Sequence, residues 1–161
     1  MRVAGVSVNS GDLYFAVVEP SGAGLIAQHV DVGAPRLRPA SALPADRRAA
    51  DLLGRVKQEL RALEVKKLGV LDVRMFNSWK YSAAYSRISA LTVLQLACHD
   101  LGIPYQEVKT DPVGRVVGVA ANHLDSLDPA RFGFNESPLY WRIGRSGAFA
   151  VAATVLDEES A

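Results

Sequence analysis

The stretch Arg74-Met75-Phe76-Asn77-Ser78-Trp79-Lys80-Tyr81-Ser82-Ala83-Ala84-Tyr85 alternates cations with aromatic rings. Rings that stack on bases, beside cations that take phosphates, are a common way to hold a single strand. If the segment is helical, Tyr81 and Tyr85 fall at i and i+4 and share a face, with Ser78 and Ser82 alongside. The same residues equally suit packing on a sheet or on a second subunit, since Tyr and Trp are enriched at protein interfaces. Other chemistries lack their residues. His29, His99 and His123 are far apart, the one cysteine is Cys98, and no Cys/His group has zinc spacing. There is no Gly-x-Ser-x-Gly elbow, P-loop or dinucleotide fingerprint. Cys98 sits in an apolar stretch and reads as a small buried hydrophobe.

The chain has 161 residues, 49% apolar and 22% charged, with a formal net charge of +1. That composition fits one soluble globular domain spanning residues 1–161. A near-neutral chain has no general attraction for polyanions, so any nucleic-acid site must be a local basic patch. The first residues lack the charged, apolar, small-residue order of a signal peptide, and the longest apolar runs are too short to span a bilayer. A cytoplasmic protein that makes no membrane contact is expected.

Turn chemistry sets the elements. Residues 3–8 and 13–18 are β-rich runs around Asn9-Ser10-Gly11-Asp12, which predicts a hairpin. A turn at 20–24 and a third strand at 25–32 complete a meander. Residues 33–44 carry Pro35, Pro39 and Pro44 with Arg36 and Arg38, and read as a mobile surface loop. Leu52, Leu53, Val56, Leu60 and Leu63 predict a helix over 46–63 with Asp46 as its N-cap. The apolar run 67–73 suits a central strand. A long helix over 79–101 follows, capped by Asn77-Ser78 and ended by Gly102, with Ile88, Leu91, Val93, Leu94, Leu96 and Ala97 on a wide apolar face. A strand at 103–108 and a helix at 112–122 come next, then a loop over 125–139. The apolar run 146–156 reads as a closing helix, with a strand as the alternative. Phe132-Gly133-Phe134 and Leu139-Tyr140-Trp141-Arg142 form a second aromatic cluster that suits a dimer contact or a lid over the sheet edge.

This order resembles the RNase H-like (retroviral-integrase-like) superfamily, and within it the RuvC-type Holliday-junction resolvases. Val3-Ala4-Gly5-Val6-Ser7-Val8-Asn9 lies over the signature that ends the family's first strand. Tyr14 to Val18 resembles its second strand, and Gly69-Val70-Leu71-Asp72 the segment ending in its catalytic glutamate. Phe76 to Leu101 is similar to the segment leading into its long helix. Val108-Lys109 and Arg115-Val116-Val117-Gly118 are similar to its Val-Lys … Val-Gly segment. The chain is also similar to short uncharacterised bacterial proteins with a degenerate form of this fold. The resemblance implies a three-layer α/β domain, with a mixed five-stranded sheet (an antiparallel three-strand meander plus parallel strands) flanked by helices.

Enzymes of this family use two metal ions held by carboxylates, one activating water and the other stabilising the leaving oxygen. The first-strand aspartate position is here Ser7, and the last-helix acid falls in Arg142-Ile143-Gly144-Arg145-Ser146-Gly147, at Gly147. Asp72 is the one carboxylate at an expected ligand position. The residues expected at the sheet edge are otherwise basic: Arg74, Lys80, Lys109, Arg142 and Arg145 to take phosphates, with Trp79 and Tyr81 to stack. A non-cleaving nucleic-acid binder or scaffold, without cofactor and working as a homodimer, is therefore expected, with DNA or RNA as its partner. The alternatives are a divergent nuclease with Mg or Mn on Asp72 and Asp12 or Asp111, and a purely protein-binding module.

Overall fold

A computed structural model describes residues 1–22, 24–73 and 79–161. The hairpin forms as the turn residues dictate. β1 (Val3–Asn9) pairs antiparallel with β2 (Asp12–Glu19), and Asn9 faces Asp12 across a two-residue turn. Ser10 and Gly11 both take positive φ, at 54° and 79°. That conformation matches the right-handed twist of the strands and is why Gly is needed there.

The meander's third strand is shorter than the expected 25–32. β3 (Gln28–Val30) covers one end of β2 and a second piece, β4 (Arg36–Leu37), covers the other. Pro35 cannot donate to a ladder, so the strand breaks there. Its carbonyl still accepts the Phe15 amide at 2.9 Å. The proline-rich loop is thus strapped to the sheet, and Leu37 is buried. Among the described residues the sheet has six strands, not five, ordered β3-β2-β1-β5-β6 with β4 also on β2. β5 (Lys67–Asp72) and β6 (Tyr105–Lys109) run parallel to β1.

Two helices cover one face. α1 (Ala45–Ala62) buries Leu52, Val56 and Leu60, one per turn. Pro44 occupies its N-cap position, so Asp46 lies in the first turn, where it favours the helix dipole without capping. α2 (Tyr81–Leu101) begins two residues later than expected, and the Asn77-Ser78 cap lies outside the described residues. Gly102 at φ 67° closes α2, with the Ile103 amide bonding back to the Cys98 carbonyl. Its buried stripe is Ala90, Val93, Leu94, Ala97 and Cys98, while Ile88 and Leu96 face outward instead of joining the apolar face.

The other face is covered by α4 (Ser146–Ser160), with α3 (Thr110–Val117) beside it. α3 stops at Gly118, short of the expected 122, because the chain turns through φ 72° and continues as a 3₁₀ segment, Ala121–Ser126. α4 is buried from Ser146 to Leu156. A helix apolar all round shows no period, which is why the run reads equally as a strand. It lies directly on the sheet. A Cβ on Gly5 would stand 1.9 Å from the Ala148 carbonyl oxygen, and one on Gly69 would stand 2.6 Å from a Val155 methyl. Three rings of the aromatic cluster are packed into the core, while Leu139 beside them is exposed. Phe132, Phe134 and Trp141 pack on Phe149 of α4, with ring centroids 5.1–5.4 Å away. The Trp141 Nε1–H donates to the Leu127 carbonyl at 2.7 Å.

Candidate nucleic-acid interface at the sheet edge

Three parallel strands end together at Asn9, Asp72 and Lys109. Beyond the carboxyl ends of such strands is where α/β sheets bind ligands. A cavity of about 230 Å³ opens there. Ser7 and Leu71 supply its floor, Ser146 and Gly147 one wall, and Asp125 and Arg142 part of its rim. Ser7 is buried, and a Cβ on Gly147 would stand 3.6 Å from its hydroxyl oxygen. The two positions that the resemblance assigns to metal-binding acids therefore meet, as a hydroxyl and a glycine.

A π turn, Trp141–Arg145, leads into α4 and shapes the rim. Tyr140 starts it at φ 64°, and its carbonyl accepts from the Ile143, Gly144 and Arg145 amides. Only glycine fits at 144, because a Cβ would lie 2.5 Å from the Tyr14 ring. The Asn9 side-chain amide fastens the turn by donating to the Ile143 carbonyl at 3.0 Å. Residues three apart in this wide turn do not share a face as they would in an α-helix. Arg142 is exposed on the rim, whereas Arg145 points inward and is 6% exposed. Its Nε donates to the Phe15 carbonyl at 3.2 Å, and its guanidinium lies 5.2 Å from the centre of the Phe149 ring. Burial pushes its pKa down to about 10, against the opposing pull of Asp31. Arg145 is thus a structural arginine and is corrected from the phosphate-binding set.

The remaining expected residues divide. Lys109 is exposed where β6 ends, and Lys80 is exposed just before α2. Arg74 lies outside the described residues. Tyr81 is 83% exposed, with the Tyr85 ring 6.1 Å away. Trp79 is half-buried, with the Arg87 guanidinium 5.6 Å from its ring centre and its Nε1 sealed without a hydrogen-bond partner among the described residues. One face of the indole is therefore taken, which corrects its reading as an open stacking platform. Arg87 also donates to the Val8 and Leu71 carbonyls at 3.3 Å each, tying the start of α2 to the strand ends.

Asp72 does not reach the cavity. Leu71 packs in the α4-side core and Val70 in the core under α1 and α2. Strand alternation then turns Asp72 to the α1/α2 side, away from Ser7. Asp12 lies on the hairpin and pairs with Arg38 at 3.0 Å, and Asp111 is exposed on the first turn of α3 beside a different hollow. The carboxylate that does line the cavity is Asp125, in a stretch whose docking against the strand ends leaves no periodic mark in the sequence. Among the described residues no three acids, histidines or cysteines converge as a metal-binding group. A pair of magnesium ions needs several carboxylates to offset its charge. The cavity's hydroxyls with one carboxylate, beside Arg142, do not fit it.

The strand order, the α4 layer and the cavity at the parallel strand ends define an RNase H-like fold of the RuvC type. No family model matches the chain, and no curated protein sequence does. Two solved structures of Thermus thermophilus RuvC match it: RuvC alone, at TM-score 0.78, and RuvC in complex with a Holliday junction substrate, at TM-score 0.79. Each is 20% identical and aligns over 99% of this chain and 96% of its own. At that identity the likeness is one of fold. No helix among the described residues is long and apolar enough to cross a membrane.

Proposed function

We propose that residues 1–161 act as one RNase H-like domain that binds nucleic acid without cutting it, as a homodimer. The observation that carries the reading is the cavity at the strand ends, where Ser7 and Gly147 meet and the rim carries exposed Arg142. With few acids and a cation at its mouth, such a site favours a phosphate backbone over a metal pair. Lys109 and Lys80 do not line the cavity. Lys109 is the register partner of Asp72 and turns with it to the α1/α2 side. There it and Lys80, just before α2, are exposed cations for a backbone that continues past the cavity, and Tyr81 offers a free ring for stacking. The same fold is known bound to a Holliday junction in Thermus thermophilus RuvC. Further along α2, the outward side chains of Ile88 and Leu96 give an apolar patch suited to a second copy.

Fluorescence-anisotropy titrations with a four-way junction, a duplex and a single strand test the reading. Binding should weaken steeply with salt. Arg142→Ala combined with Lys109→Ala should weaken it for all sequences and lower the salt slope by about one per lost phosphate contact. The junction should stay intact with Mg²⁺ or Mn²⁺. Absent or salt-insensitive binding overturns the reading. Metal-dependent cleavage that Asp72→Asn or Asp125→Asn abolishes would replace it with the divergent nuclease.

A further inference from the structure

A second, larger cavity, about 570 Å³, lies away from the strand-end site. It sits between the hairpin turn, the proline-rich strap and helices α1 and α2. Its size is within the roughly 300–1,000 Å³ of small-molecule sites. Leu52, Ala90 and Val93 give it a buried apolar floor. Around that floor stand serine hydroxyls (Ser10, Ser41, Ser86, Ser89) and two guanidiniums, those of Arg38 and Arg48.

The walls are fixed in place. Arg55 donates through Nη2 to the Arg38 carbonyl at 2.5 Å and through Nε to Asp51 at 3.0 Å. The strap turns at Ala40–Leu43 through a 3.0 Å backbone bond. At the far end Gly11 packs against Ser86, where a Cβ would stand 3.1 Å from the serine Cβ. A pre-formed cavity loses little ordering entropy on binding.

Arg48 is the group that lacks an explanation otherwise. A guanidinium has five N–H donors. Here one of them reaches an acceptor, the Leu43 carbonyl at 3.1 Å, and the Nε is sealed from solvent without a partner among the described residues. The sealed Nε does not face the cavity; what Arg48 offers a ligand is the rest of its half-buried guanidinium, whose remaining N–H donors are not used by the Leu43 bond. Arg38 is already paired with Asp12. Of the charged residues that line the cavity, Arg48 is then the one with no ion pair among the described residues, and serines stand around it. Several donors about one cation suit a group with several acceptor oxygens, and the apolar floor with Tyr85 at its side suits a flat body.

We infer that this cavity binds a phosphate monoester carried on a planar apolar body, the class of a nucleoside monophosphate. Arg48 and the serines take the phosphate, and the floor takes the ring. The inference does not depend on the strand-end reading.

Calorimetric titration and thermal-shift measurements on the full chain test it. The probes are the four common nucleoside 5′-monophosphates, the corresponding nucleosides, inorganic phosphate, and a short oligonucleotide with and without a 5′-phosphate. At least one monophosphate should bind and raise Tm, with its nucleoside and inorganic phosphate weaker by about tenfold or more. Preference for the 5′-phosphorylated oligonucleotide would assign the phosphate to a strand end, and preference for the monophosphate to a free nucleotide. Arg48→Gln and the cavity-filling Ser89→Phe should each remove the response. Ser89 is exposed, so that variant should keep the parent's Tm without ligand. No response to any probe at millimolar concentration, equal binding of inorganic phosphate, or binding that survives both variants would overturn the assignment.

Discussion

Cys98 shows how burial alone sets a side chain's chemistry. It sits on the inward face of α2, and desolvation pushes its thiol up to about 11 from an ordinary value near 9. Between those values the unfolded chain has lost a proton that the folded chain keeps. Stability is therefore full below about pH 9 and falls as pH rises towards 11. Thermal melts across that range should show Tm falling in the parent and falling less in Cys98→Ala, although the variant starts lower at neutral pH. Parallel curves would mean that the thiol does not carry the effect. The buried cysteine is readable from the apolar residues around it. Arg145 is not, because its inward course depends on a π turn that no local spacing announces. Asp72 misleads for a related reason. One residue of register decides which face of a strand a side chain takes, and an apolar run buried on both faces gives no alternation to fix it.

At the scale of elements, the closeness of α4 to the sheet rests on glycine. Gly5→Ala would drive a methyl into the Ala148 backbone, which cannot move aside as a flexible side chain can. A loss of about 3 kcal/mol or more is expected in urea unfolding. Gly54 is the contrast. It lies in α1, is exposed, and has nothing within 4 Å of where an added methyl would stand. Gly54→Ala should stabilise by about 0.5–1 kcal/mol. If both substitutions prove neutral, the helix does not sit where described. The hairpin, α1 and the body of α2 are legible in the sequence because each has a local signature: a turn with Gly, or an apolar stripe. β4 and the 3₁₀ segment at 121–126 are not, because tertiary pairing holds them and their own residues show no pattern.

At the scale of the whole molecule, a chain of net charge +1 has exposed cations on segments that adjoin the carboxyl ends of its parallel strands: Arg142 at the cavity, Lys109 at the end of β6 and Lys80 just before α2. Further along α2 from Lys80, an outward apolar patch is formed by Ile88, 60% exposed, and Leu96. If that patch joins two copies, sedimentation should show a concentration-dependent dimer. Ile88→Glu with Leu96→Glu should shift it to monomer, with a Tm near that of the parent at dilutions where the parent is itself monomeric, since neither side chain belongs to the core. A parent that stays monomeric at high concentration would remove the dimer from the proposal.

The broken outer edge of the sheet bears on such assembly. A long bare strand invites another chain to extend the ladder, which is a route to fibres. Here β2 is flanked by a three-residue and a two-residue strand, with Pro35 between them supplying an acceptor but no donor. On that side an incoming strand meets short, interrupted pairing partners rather than a continuous template. The same proline-rich strap that walls the cavity of about 570 Å³ interrupts this edge, so shortening the strap should both bare more of β2 to incoming strands and open that cavity.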